Sequence, residues 1–316
     1  MEFVLRHQWL IYPALLLWGA LAADLASNPD CSHRRGAYIA GMVLMVGIIA
    51  LSLWHHRNAT AWRVGIIAVG YVTLITHHPA VFRQIELLAI VAMFALGEQA
   101  HRLRPAAIPA GLIYAGLVWF TGGNTNVQAI ALVALLFLAP RKWWFVAVMG
   151  LVIVTRHSEA ALIAVAVGLT LEYRPKLVWW GIPVTLAVVA IKWHTPSVQH
   201  RLGMLEQAFG GGFLGNGLYA YNYMGYTTPH NIIAEVYFVA GIVGLAALAG
   251  VGWWLWINRA QLGPWFGLVG AIGVLSLLDA AYLGFGGALA ALALGNVSAT
   301  KWLNYRRYRD MMIVTN

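Results

Sequence analysis

One cysteine, few charges and no acidic pair mark this chain by what it lacks. With Cys31 alone, neither an intrachain disulfide nor a cysteine-based metal or redox motif can form. Charged residues fill 10% of the 316 positions against 61% hydrophobic, and the mean hydropathy is +0.72. That is too little charge to coat a soluble globule of this length, so the composition predicts an all-α polytopic membrane protein. The 11 acidic residues are scattered and nowhere form Asp-x-Asp. The usual carboxylate pair for a metal-held nucleotide-sugar is therefore missing. No separate soluble domain, low-complexity linker or defensible repeat interrupts the pattern.

Apolar runs separated by short charged or Gly/Pro-bearing breaks recur from end to end. In lipid each run satisfies its backbone polar groups only as a helix. About twelve spans are expected, near 8–26, 37–54, 63–76, 85–97, 106–120, 127–139, 143–155, 158–172, 177–193, 231–257, 265–280 and 284–299. The first is followed by DCSHRR rather than a small-residue cleavage site and reads as a retained helix.

Charge in the breaks orients the chain. With the N-terminus inside, Arg6, Arg57, Arg63, Arg102, Arg104, Arg141, Lys142, Arg174, Lys176, Arg259, Lys301, Arg306, Arg307 and Arg309 are cytoplasmic, 14 of the 20 basic residues. Arg34, Arg35, Arg83, Arg156, Lys192 and Arg201 remain outside. The positive-inside rule favours this orientation over its inverse, with both termini cytoplasmic. The net charge of +9 is thus read as topogenic bias, not as a nucleic-acid footprint.

The longest departure from spans and short breaks is 194–230, HTPSVQHRLGMLEQAFGGGFLGNGLYAYNYMGYTTPH, expected on the outer side. It carries Arg201 on an amphipathic stretch, a glycine-rich turn with Gly215 and Gly217, and Pro229, His230 and Asn231 at the mouth of the next apolar run. Asn231 is placed to cap the helix that starts there, with Glu235 one turn on. Each feature also has a plain structural reading. His230 fits an interfacial cap, Arg201 a surface-helix charge, Arg156 a snorkelling residue, and the glycines a tight turn. Under the expected topology the break near Arg156, the 194–230 loop and the head of the helix at 231 share one side, so Arg156, Arg201 and His230 can converge.

The order of arginine, Gly-x-Gly turn and His-Asn, opening a helix with Gly241 and Gly244, resembles the O-antigen ligase and O-antigen polymerase family of bacterial surface-glycan enzymes. The resemblance is strongest over about residues 150–260. It implies a GT-C-like helical membrane architecture, one integral domain over 1–316, and a site facing the periplasm from the inner membrane. It also implies two arginines and a histidine at the site. Arg201 matches the second arginine and His230 the histidine. In VTRHSEAAL, Ser158 matches the family serine, Glu159 stands where arginine is usual, and Arg156 lies three residues earlier, close to the same helical face.

The implied activity is transfer of a glycan from undecaprenyl diphosphate to an acceptor hydroxyl on lipid A core, a growing glycan or a protein, with inversion and with neither metal nor cofactor. Two guanidiniums suit a diphosphate, and a histidine can hold a proton near neutrality. His230, Arg201 and Arg156 are the expected catalytic residues, with Asn231, Gly215, Gly217, Glu159 and Glu235 lining the substrate. The expected partners are the lipid-linked donor, its acceptor and membrane lipids. Asp24, Glu86 and Asp279 lie in or near spans, where acids are costly, and keep an ion-coupled transporter or a flippase as a second class. Peptidoglycan polymerases of the shape, elongation, division and sporulation type fit less well, because their Pro-x-x-His-x-Asp is not reproduced after His230.

Overall fold

The computed structural model describes residues 2–27, 34–55, 59–74, 81–97, 100–120, 125–156, 158–174, 177, 194, 196–210, 212–217, 221, 224, 230–263, 265–278 and 286–298. No strand occurs among them. The helices are α1 (Glu2–Ser27), α2 (Arg34–His55), α3 (Ala59–Leu74), α4 (Val81–Ala95), α5 (Ala100–Phe120), α6 (Thr125–Leu138), α7 (Trp143–Thr155), α8 (Glu159–Tyr173), α9 (Pro196–Phe209), α10 (Ile232–Ile257), α11 (Arg259–Leu262), α12 (Trp265–Leu278) and α13 (Gly286–Ser298). A helix lies under each expected span except 177–193, which falls outside the described residues, as do Cys31, Pro229 and Asp279.

The hub is α6. Every residue from Gln128 to Leu138 is buried, as required of a helix apolar on all sides. Around it stand α1, α5, α7, α8 and α12, while α2, α4 and α3 extend the assembly beyond α1. Small residues let α8 and α12 approach. A methyl group on Gly168 would lie 2.9 Å from the Gly267 carbonyl oxygen, and one on Gly270 would lie 2.1 Å from Leu171. Such contacts matter most where burial from water cannot drive packing.

Charge fixes the direction of these helices. Arg104, near the head of α5, stands over the ring of Trp265 at the head of α12, 5.2 Å from its centroid. Arg141, in the α6–α7 turn, pairs with Glu172 at the foot of α8. Because Glu172 also lies against Gly267, α8 and α12 are antiparallel. The other ends of α5 to α8 and of α12, near Phe120, Thr125, Arg156, Ser158 and Leu278, therefore share the opposite end of the bundle.

The 194–230 segment is not all loop. It contains α9, which packs on the first half of α10 through a small core of its own, with Met204, Ala208, Tyr221, Ala234 and Phe238 buried together. Tyr221 packs edge-on against Phe238, ring centroids 5.2 Å apart, and its hydroxyl donates to the Met204 carbonyl at 3.0 Å.

The expectation of one continuous helix over 231–257 needs correction. At Gly241 the backbone leaves the helix, with φ 57° and ψ −147°, a region open in practice only to glycine. A break strands carbonyls and amides in an apolar setting, and the glycine-rich segment satisfies them. The amides of Asn216 and Gly217 donate to the carbonyls of Phe238 and Val239 at 2.7 and 3.1 Å, and the Ile242 amide donates to the Phe213 carbonyl at 3.0 Å. Close approach leaves no room for side chains here. A Cβ on Gly241 would lie 2.1 Å from the Phe213 carbonyl oxygen, and one on Gly215 would lie 2.4 Å from that of Val239.

By length and hydropathy two described helices can cross a membrane, Ala100–Phe120 and Ile232–Ile257, the second being the broken one. Shorter apolar segments of 10–17 residues include Leu10–Leu25, Ile39–Leu53 and Trp265–Leu278. Large apolar side chains stand exposed on many helices, among them Ile39, Ile67, Leu151 and Trp253.

Gly241→Ala and Gly252→Ala make the fold's dependence on the break measurable. A methyl at Gly252 meets nothing within 4 Å, so that variant should unfold within a few degrees of the parent or slightly above it. Gly241→Ala combines a backbone cost of about 1–3 kcal/mol with a collision against backbone, and its unfolding temperature should fall well below both. Equal midpoints in thermal unfolding would contradict the break.

Candidate functional site

Two of the expected site residues meet at the foot of α12. Arg201, in the first half of α9, donates from a guanidinium nitrogen to the carbonyl of Leu278, and Asn231 donates from Nδ2 to that of Leu277 at 2.7 Å. The last carbonyls of a helix have no partners within it and carry partial negative charge, so a cation and an amide are chemically suited there. Asn231 works on both sides of the joint. Its Oδ1 accepts from the amides of Ile233 and Ala234 at 3.0 and 3.1 Å, the N-cap role its position predicts. Glu235 occupies the first turn beyond, where an acid complements the helix N-terminus.

His230 immediately precedes that cap and is half-buried. Its φ of 50° places a non-glycine residue in the left-handed region, which histidine tolerates better than most. Such strain persists only when the surroundings hold it, here through Asn231, whose side chain is committed at two helix ends. Gly215 and Gly217, with φ of 90° and 77°, complete the segment that fills the break at Gly241, nearly three turns further along α10. The Tyr71 hydroxyl donates to the Leu214 carbonyl at 3.0 Å and ties that segment to α3.

Arg156 lies at the same end of the bundle but is held differently. Its guanidinium donates to the carbonyl of Val118 at 3.3 Å and to Oε1 of Gln128, and Gln128 donates from Nε2 to Asp24 at 2.9 Å. Gln128 and Asp24 are buried, and Tyr114 is close enough to interact with both Asp24 and Arg156. The chain Asp24–Gln128–Arg156 thus runs from α1 across the hub to the end of α7. It balances one acid with one base where neither would be tolerated alone. Arg156 makes no hydrogen bond to Arg201 or His230 among the described residues.

Ser158 accepts from the Ala161 amide at 3.4 Å as the N-cap of α8, and Glu159 is exposed in the first turn. Both therefore do ordinary helix-starting work. Gln128 and Tyr114 escaped the sequence reading. The available signal was a glutamine opening the apolar run QAIALVALLFL, since a polar group buried on all sides must find partners.

No protein-family model, curated protein or solved structure matches the chain.

The two roles of Asn231 separate by substitution. Asn231→Asp keeps a good N-cap but replaces the donor to Leu277 by an oxygen facing a carbonyl. It should therefore cost nearly as much stability as Asn231→Ala, about 1–2 kcal/mol or more by denaturant or thermal unfolding. An aspartate variant as stable as the parent would show that the contact with α12 contributes nothing.

Proposed function

We propose that the chain is a polytopic membrane glycosyltransferase of the O-antigen ligase or polymerase type, taking its glycan from a polyprenyl diphosphate. The observation that carries the reading is the meeting of Arg201 with the His230–Asn231 turn at the foot of α12, beside a helix broken and rejoined by a glycine segment. The membrane part of the reading rests on the apolar surface. In the two long helices only 39% and 22% of the most apolar window is buried, whereas a core helix of a soluble protein is mostly buried. Broken helices at membrane depth are tolerated where protein or a polar cavity covers the exposed backbone. The segment from Phe213 to Gly217 supplies such cover.

In this reading the donor's lipid tail lies in the bilayer and its diphosphate reaches the outer end of the bundle. Arg201 has a planar fork, one arm of which is engaged with Leu278, and it binds the diphosphate and stabilises the charge it acquires on leaving. Arg156, held by Gln128 with its charge balanced by Asp24, stands at the same end of the bundle. His230 takes the proton of the acceptor hydroxyl as its oxygen attacks the anomeric carbon. The carbon–oxygen bond to the diphosphate breaks, the diphosphate leaves with the electron pair, and the configuration inverts. Ligation to a lipid-core acceptor is the reading put first, with glycan polymerisation or transfer to protein as its variants.

A transporter or flippase is the second reading, because a discontinuous helix is also a device for binding substrate at the bilayer midplane. Purified protein with a defined undecaprenyl-diphosphate oligosaccharide and candidate acceptors separates the two. Transfer should occur with chelator present. His230→Ala should lower turnover by roughly 10²- to 10⁴-fold with little change in donor binding. Arg201→Lys should lose most activity although charge is kept. A strict need for divalent metal, or normal turnover per bound donor in His230→Ala, would refute the mechanism. Movement of the donor across vesicles without any transfer would favour the second reading.

A further inference from the structure

The far end of the bundle holds a cation that, among the described residues, forms no ion pair of its own. Arg104 is half-buried, and among the described residues its Nε lies out of contact with solvent without a hydrogen-bond partner while its guanidinium stands over the face of Trp265. The acid that acts on it among the described residues, Glu172, is already taken. Arg141 donates to both its carboxylate oxygens, at 2.8 and 2.9 Å from Nε, and adds a third bond from its terminal nitrogen. Arg104 is close enough to feel both charges, one attractive and one repulsive. Two arginines and one glutamate leave a single positive charge, held rigidly at a helix end. Lys142 and Arg174, both exposed on the neighbouring turns, add to the positive field.

A buried, unpartnered guanidinium nitrogen is costly, so a site that keeps one is suited to an incoming anion. Its position over the Trp265 ring keeps the guanidinium at this helix end, and a guanidinium fork suits bidentate capture of a phosphate. Beside it Trp143 stacks on Tyr173, ring centroids 5.8 Å apart, and both rings are exposed. Amphipathic aromatics of this kind settle at the boundary between lipid headgroups and acyl chains.

We infer that Arg104, seated on Trp265 beside the Arg141–Glu172 pair, binds the phosphodiester headgroup of an anionic phospholipid on the face opposite the proposed transfer site. The inference rests on the membrane part of the proposed function and not on its chemistry. It places the lipid on the side that the basic residues assign to the cytoplasm, where headgroups attract basic clusters between helices.

The test uses full-length protein from carbonate-washed membranes, placed in phosphatidylcholine nanodiscs with and without phosphatidylglycerol. Lipid retained after release is counted by native mass spectrometry. Phosphatidylglycerol should be retained in preference to phosphatidylcholine. Arg104→Gln should weaken that preference by at least about tenfold, as expected for loss of a charge-assisted pair of hydrogen bonds. Arg104→Lys, which keeps charge without the fork, should fall between the two, and it decides the matter if the glutamine variant does not fold. Unchanged retention in both variants would overturn the inference. So would full displacement of the lipid by inorganic phosphate alone, which would make this a site for a soluble anion. Protein stripped from membranes by carbonate would overturn the membrane reading itself, a failure separable from the other two.

Discussion

Everything at the proposed site depends on one break in one helix. At Gly241 the chain abandons its own hydrogen-bond ladder, and three backbone bonds from the Phe213–Gly217 segment replace what was lost. Each stranded amide or carbonyl in an apolar setting would cost on the order of 1–3 kcal/mol. The break and the glycine segment therefore form together or not at all. Once formed, they hold the first half of α10 against α9 and the Tyr221 core, and so set where Arg201 and His230 can reach.

The second constraint is the foot of α12. Its unpaired carbonyls attract Arg201 and Asn231 from two different elements, and the bond from Asn231 fixes the entry of the chain into α10 with His230 in a strained conformation just outside. These polar contacts tie the α9–α10 unit to the foot of α12, and Trp254 and Leu255 of α10 pack on the main core. The bundle itself is closed by the Asp24–Gln128–Arg156 chain at one end and the Arg141–Glu172 pair at the other. Each is a balanced charge in a setting that punishes imbalance.

Most of the helical architecture was legible in the sequence, because apolar runs of this composition have few alternatives to helix. The N-cap of Asn231, the helix bearing Arg201 and the turn conformation of Gly215 and Gly217 were legible too, each from local chemistry. The break was not. IIAEVYFVAGIVGLAAL reads as one helix, since a single glycine inside a helix costs only about 1 kcal/mol and raises no flag. What breaks it is a backbone segment more than twenty residues earlier, and backbone groups leave no trace in the letters. For the same reason Arg201 could be marked as a candidate while its target, the Leu278 carbonyl, could not. Arg156 was placed at the correct end, but its partners Gln128 and Asp24 come from helices that no local pattern links.

The central claim, that the glycine segment completes the broken helix and so builds the site, is tested most directly by residue-resolved amide hydrogen exchange. The account predicts that the amides of Asn216, Gly217 and Ile242 exchange as slowly as helical amides of α10, despite the loop-like sequence around the first two. Exchange at the rate of an open loop, with a continuous run of protection through Gly241, would show an unbroken helix and contradict it.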